Sequence, residues 1–360
     1  MSSPGANTVP QYSKRVDLSH LPEATCRLAG KRLLIRRQFV LALGVGVLAP
    51  MASFAQQPAK VWRVGYLQIA PRNVQLELIE AFEHGLQERG YAVARNVQID
   101  YRFADGNVER LPDLAAELVR LKVDVIVTGV NANVRALQRA TTTIPIVTAT
   151  SYYPVEDGMV ASLGRPGGNV TGISAEAGGE ISKRLQFLRE LTPKLKRVAI
   201  LSGAGMSYNP IALKVLEGSA RELGVSVMPL EIRGAEDVGP AFAKIERARI
   251  EGLIVFGGPI TLAQRSSIMG MAAKKKLPAI WSGSRVYIDE GALISYGADV
   301  VDLYRRSAGY VDRILKGAKP ADLPIEQPAK FVLAINLKTA KALGIKIPSA
   351  LMLQATKVIE

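Results

Sequence analysis

The chain is poor in the side chains that carry most covalent and metal chemistry. Its 360 residues hold one cysteine and two histidines. Cys26 and His20 both fall within the first 55 residues, so the remainder keeps His84 alone. Beyond residue 55 this excludes a disulfide, a thiol nucleophile and a His/Cys metal site, and it leaves a Ser-His triad only if His84 serves it. His84 lies in "LELIEAFEHGLQERG", a run of helical period, and reads as a partly exposed structural histidine. No P-loop, G-x-S-x-G elbow or H-E-x-x-H pattern occurs. Carboxylate-only chemistry stays open, but neither a metal nor a cofactor is expected.

Long apolar runs are also scarce. The run at residues 39–49 is about a dozen residues long, short of the ~20 that a membrane-spanning helix needs. Lys31, Arg32, Arg36 and Arg37 precede it, and Ser53-Phe54-Ala55 follows it with a small-x-small pattern. This is the layout of an export signal cut after Ala55, so residues 1–55 read as a leader and the mature chain begins at Gln56. Arg36-Arg37-Gln38-Phe39-Val40 resembles a twin-arginine signal, and the general secretory route stays open because basic leaders often contain two arginines. No cysteine stands at the cleavage point, so an acyl anchor is not expected. A periplasmic location follows.

Charge is positive but dispersed. The whole chain carries 46 Lys and Arg against 32 Asp and Glu, and without the leader roughly 39 against 30 remain. Lys274-Lys275-Lys276 is the one tight basic run, and no basic stripe interleaved with aromatics or nucleic-acid motif accompanies it. A nucleic-acid partner is therefore not expected. About 305 residues exceed the usual size of a single core, which points to two domains.

Short apolar runs alternate with amphipathic stretches from end to end. "VWRVGYLQI", "NVQIDYRFA", "VDVIVTGV" and "IPIVTAT" read as strands, separated by the helical "QLELIEAFEHGLQERG", "ERLPDLAAELVRLK" and "NANVRALQRATT". This alternation means parallel pairing with right-handed crossovers, a doubly wound α/β layer. The cadence then restarts, with "KRVAILSG", "VSVMPLEIR", "EGLIVFGG" and "LPAIWSG" as strands of a second set. Between the sets lies "LGRPGGNVTGIS", read as the chain passing from one lobe to the other, and a further passage is placed near "LISYGADV". The expected N-terminal lobe comprises residues 56–170 plus about 297–325, and the C-terminal lobe residues 171–296 plus about 326–360. Two Rossmann-like lobes joined by a hinge leave the cleft between them as the large concave site.

In open parallel sheets, ligands bind beyond the carboxyl ends of the strands, where helix N-termini present unpaired amides. Strand ends at 68, 129–133 and 148–153 in the first lobe and at 202–208, 257–259 and 281–284 in the second give Gln68, Asn131, Ala132, Asn133, Ser151, Tyr153, Gly203, Gly257 and Trp281 as candidates, with Tyr287 added beyond them and Tyr152 as a further candidate aromatic wall. Asn131 is placed at the N-cap of its helix, with Asn133 freer to face a ligand. The amides near Asn131 to Asn133 are expected to hold an anionic group, with Tyr153, Trp281 and Tyr287 shaping the rest. "GAGMSY" at residues 203–208 partly fits a dinucleotide fingerprint, but Tyr208 stands where a small residue is wanted, and Glu231 comes late.

The stretches "LPDLAAELVRLKVDVIV", "RATTTIPIV", "VASLGRPGGNVTGIS", "ISYGADVVDLYRRSAGYVDRILKGAKPADLPIEQP" and "INLKTAKALGIKIP" carry a family resemblance over residues 61–360. The chain resembles the extracytoplasmic substrate-binding proteins of ABC importers, in the family with tryptophan- and other aromatic amino-acid-binding members. The resemblance implies a type I periplasmic-binding fold with three passages between lobes. It also implies closure over a small solute, delivery to a membrane permease and its ATPase, and no catalysis. Where the family usually has a Gly-Thr-Pro-Ala type turn, this chain reads Val130-Asn131-Ala132-Asn133, and Tyr153-Pro154-Val155-Glu156 replaces Asp-Pro-Val-Gly. Aromatic amino-acid specificity therefore does not simply carry over, and an amino-acid-like or carboxylate ligand is expected. The chain is expected to act as a monomer. A ligand-sensing receptor module, or an exported enzyme with a nucleotide cofactor at residues 203–208, remains as an alternative.

Overall fold

A computed structural model describes residues 60–176, 179–283 and 285–360. The leader and export signal expected at residues 1–55 lie outside the described residues. Two sheets organise the rest. The first is built by β1 (Trp62–Gln68), α1 (Leu76–Gln87), β2 (Val97–Phe103), α2 (Leu111–Arg120), β3 (Val125–Thr128), α3 (Asn131–Ala140), β4 (Ile146–Ser151) and β5 (Val170–Ser174). Its order is β2-β1-β3-β4-β5, parallel throughout. Every residue of β3 and β4 is buried, as expected of central parallel strands covered on both faces. α1 buries Ile79, Phe82 and Leu86 at spacings of three and four, and α2 buries Leu111, Leu114, Ala115 and Leu118 in the same way.

The second sheet follows α4 (Glu180–Leu191). It comprises β6 (Arg197–Gly203), α5 (Asn209–Glu222), β7 (Ser226–Ile232), α6 (Val238–Arg247), β8 (Gly252–Val255), α7 (Pro259–Ala263), α8 (Arg265–Lys274), β9 (Ala279–Ser282), α9 (Arg285–Asp289) and β10 (Ile294–Ala298). The chain then returns to the first sheet as α10 (Val300–Leu315) before re-entering the second as β11 (Phe331–Asn336), α11 (Leu337–Leu343), α12 (Ser349–Gln354) and β12 (Lys357–Ile359). The second order is β12-β11-β10-β9-β8-β6-β7, with β11 antiparallel to β10. Each sheet is sandwiched between two apolar clusters, giving four in all.

The architecture is therefore α/β, with two Rossmann-like lobes and three chain passages between them. One boundary shifts from the sequence expectation. Val170–Ser174 is an edge strand of the first sheet, so the first passage comes after Ser174 and not at residue 170. The Gly/Pro-rich stretch before it is a loop of the first lobe, and Gly172 lets β5 bend tightly against Thr148 at φ +130°. Glu326 bridges Ile173 at the edge of the same sheet, which places the third passage after it. The second and third passages run side by side, with the Asp299 amide donating to the Lys330 carbonyl at 3.0 Å.

α10 is anchored where α1 has no side chain. A Cβ on Gly85 would stand 2.2 Å from the Arg305 carbonyl oxygen, so the two helices touch backbone to backbone there. Asp299 starts α10 by accepting from the Asp302 amide at 3.1 Å, an N-cap that fixes where the helix leaves the hinge. Gly85→Ala is expected to push α10 off the first lobe and lower the melting temperature by about 5 °C or more in a calorimetric scan, the response of an overpacked backbone contact.

Candidate functional site

Both lobes contribute to one cavity of about 140 Å³. From the first lobe come Gln68 at the end of β1, Gln75 and Leu78 at the start of α1, Val130 before α3, Thr150 in β4, Tyr152 after it, and Tyr304 from α10. The second lobe supplies Tyr208, Gly257, Gly258, Ser282 and Tyr287. The polar groups on this wall are amides and hydroxyls. Gln68 Nε2 donates to the Tyr304 hydroxyl at 2.8 Å, and Gln68 Oε1 accepts from Asn133 Nδ2 at 3.2 Å. Burial pushes the Tyr304 and Tyr287 hydroxyls up to about 12, so both remain neutral donors at physiological pH.

Local backbone choices make this wall. Gly129 leaves room for Tyr304, since a Cβ there would stand 2.4 Å from its hydroxyl and 2.6 Å from Thr150 Oγ1. Val130 follows at φ +50°, an unfavourable setting for a β-branched residue, and its amide is tied to the Thr150 carbonyl at 2.9 Å. Asn131 then grips Tyr152 by both backbone groups, accepting from its amide and donating to its carbonyl at 2.8 Å each. Across the cleft the Tyr208 ring stacks on Tyr152 with centroids 4.7 Å apart, and the Tyr208 hydroxyl donates to the Gly257 carbonyl.

Two spaces adjoin the cavity. Behind the Tyr152–Tyr208 stack a pocket of about 20 Å³ is lined by Tyr153, Glu176, Arg184 and Phe256. Glu176 and Arg184 are both buried and 3.6 Å apart, with Arg184 Nε donating to the Tyr296 carbonyl at 2.8 Å. Burial pushes the Glu176 carboxyl up to about 8 against the pull of Arg184, and the neighbouring Glu180 adds to the rise. On the other side, past Leu78, Gly283 and Val300, lies a groove of about 510 Å³. Arg285 spans it, reaching Glu77 of the first lobe at 3.0 Å.

Residues 63–359 match the family of ABC transporter substrate binding proteins. The chain belongs to that family. A tyrosine-binding protein of Clostridioides difficile (strain R20291) is 28% identical over 273 residues, covering 75% of this chain and 77% of that protein. Among solved structures, a conserved domain protein of Vibrio cholerae is 27% identical with a TM-score of 0.78, covering 83% of this chain and 100% of its own. An ABC domain from Streptococcus pneumonia in complex with L-Trp shares the fold with a TM-score of 0.76 at 24% identity, covering 83% of this chain and 100% of its own.

In this substrate-binding protein Gln68, Gly257 and Tyr287, all nominated from the sequence, line the cavity. The other nominated residues are elsewhere. Asn131 is the first residue of α3 and Val130 holds the N-cap, so the asparagine's side chain is spent on Tyr152 and Asp157. Ala132 packs against an apolar cluster of the first lobe. Asn133 is fully buried behind Gln68, one layer from the cavity. Ser151 is buried and donates to the Ile173 carbonyl at 3.3 Å. Tyr153, at φ +48°, turns into the second lobe's core, and Tyr152 takes the place expected of it. Gly203 packs against Ile260 and accepts from Asn209 Nδ2 at 2.8 Å. Trp281 is core, 1% exposed, and backs Tyr287 at 4.8 Å.

Sequence reasoning missed Tyr304. Thr150 and Tyr152 lie within the nominated strand end 148–153, Tyr152 as a candidate aromatic wall, but neither is among the residues finally chosen. Tyr304 carries a weaker signal, an aromatic one turn into the helix that follows a lobe passage. Tyr208, within the nominated strand end 202–208 and otherwise weighed as a misfit in a dinucleotide fingerprint, is a cavity wall.

Two outcomes follow from this geometry. Because the Glu176 value is raised in the folded state, its contribution to stability is fully present below about 4.5 and is lost as the pH rises through about 8. The melting temperature is therefore expected to fall between about pH 5 and pH 8 and to level off above, and Glu176→Gln should flatten that slope in a pH series of thermal melts. Arg285→Ala removes an exposed pair between the lobes and is expected to weaken ligand binding by no more than about fivefold, seen as faster release in stopped-flow fluorescence.

Proposed function

We propose that this protein is the periplasmic solute receptor of an ABC importer, closing over a small aromatic molecule and handing it to a membrane permease with its ATPase. The observation that carries this is the cavity itself. It is walled by both lobes, and its aromatic faces, Tyr152 and Tyr208, meet across the cleft from opposite lobes. Separating the lobes would dismantle it. A ligand that touches both walls binds the closed form better and draws the lobes together.

The names of two relatives support an aromatic ligand, since one is a tyrosine-binding protein and another was solved with L-Trp. Tyr152, Tyr208 and Tyr287 suit a flat ring in this chain as well. The export signal read at residues 31–55 supports delivery beyond the inner membrane, and the receptor is taken to act as a monomer.

The test is small-angle scattering of the chain from Gln56 onward, with and without a panel of aromatic metabolites. A ligand-linked fall in radius of gyration with a matching thermal shift is expected, and Tyr208→Ala should weaken the binding at least tenfold. Failure of every panel member to compact the protein would overturn the receptor assignment.

A further inference from the structure

The cavity wall carries no ionisable acid or base among the described residues, and this bears on the class of ligand. Its polar groups are the amides of Gln68 and Gln75 and the hydroxyls of Thr150, Ser282 and four tyrosines. A ligand sealed here is stripped of most of its water. A buried ammonium group then needs a carboxylate or a full set of strong acceptors, because desolvating a charge without a partner is costly.

The acids that line the two adjoining spaces, among the described residues, are engaged. Glu176 lies behind the Tyr152–Tyr208 stack, 3.6 Å from Arg184, and its raised value keeps the carboxyl largely protonated at neutral pH. Glu77 lies in the larger groove, past Leu78, and pairs with Arg285 at 3.0 Å. Asp299 is spent on the start of α10. The amides of the first turn of α3, beside Val130, add partial positive charge, which opposes a cation further. What the cavity does offer is a neutral acceptor. Gln75 Oε1 is buried without a hydrogen-bond partner and sits on this wall, suited to a phenol or indole donor. A cavity of about 150 Å³ admits a benzene-sized ring, so one aromatic ring fits the space.

We infer that the ligand is an aromatic compound without a basic amine, in place of the amino acids bound by named relatives. The inference rests on the solute-receptor assignment and narrows its ligand class.

Matched pairs differing in the amine test it by titration calorimetry on the chain from Gln56 onward: L-tyrosine against 3-(4-hydroxyphenyl)propanoate, and L-tryptophan against indole-3-propanoate. The amine-free member of at least one pair is expected to bind at least tenfold more tightly. Gln68→Glu places a carboxylate on the wall with little change in shape, since the Tyr304 hydroxyl can turn to donate to it, and should reverse the preference. Amino acids binding as tightly as their partners would overturn the inference while leaving the receptor assignment intact. If neither pair binds, the metabolite that compacts the protein decides: an amine-bearing or non-aromatic one overturns the inference, an amine-free aromatic one supports it. If no metabolite compacts the protein, both fall together.

Discussion

The cleft depends on the packing of α10 against α1. α10 is cut off in sequence from the lobe it completes, arriving after the whole of the second sheet up to β10. Its place is set by backbone contact at Gly85 and by a buried apolar face that includes Leu303, Ala308, Val311 and Leu315. That packing brings Tyr304 to the carboxyl end of β1, where it meets Gln68, and Asn133 holds the far side of Gln68. The floor of the cavity is thus a chain of neutral hydrogen bonds that exists only when a passage from the second lobe has returned to the first. Hinge and binding wall are parts of one construction.

Neutrality of that wall is achieved by routing charge away from it. Arg184 lies behind the Tyr152–Tyr208 stack and not on the wall, with Nε donating to the Tyr296 carbonyl of its own lobe and Glu176 of the first passage 3.6 Å away. The tyrosines facing the cleft are held neutral by burial. A wall of fixed dipoles and no net charge discriminates by shape and hydrogen-bond pattern, and it rejects a mismatched charge through desolvation.

Most of the fold was legible in the sequence because parallel strands buried on both faces, such as "VDVIV" and "IPIV", announce themselves as apolar runs between amphipathic helices. The site was legible only to the level of strand ends. Which of two adjacent residues faces the cleft depends on backbone dihedrals that residue type does not declare. Tyr152 and Tyr153 show this, because a positive φ at Tyr153 sends its ring to the other side. Val130 is a second case: a valine at φ +50° is not something its chemistry suggests, and it displaces Asn131 from the N-cap that an asparagine ordinarily takes. Trp281 was misplaced for a different reason, since a large aromatic at a strand end fills a core as readily as a cleft and burial decided. The first passage was set too early because Gly and Pro mark turns, whether or not the chain changes lobe.

The strained residues and the weak interlobe contacts belong to one energetic logic. Val130 and Tyr153 each hold a backbone setting that costs on the order of 1–3 kcal/mol; the Thr150 tether offsets it at Val130 inside the first lobe, whereas Tyr153 is held by packing in the second lobe's core. The strain at Val130 therefore fixes that wall within one lobe, and Tyr153 ties the two lobes together. The lobes also meet through the Tyr152–Tyr208 stack, of a kind worth about 1 kcal/mol, and through the exposed Arg285–Glu77 pair at the mouth. On the proposed function, ligand contacts that differ between open and closed forms act on top of these interlobe contacts to set the closing equilibrium.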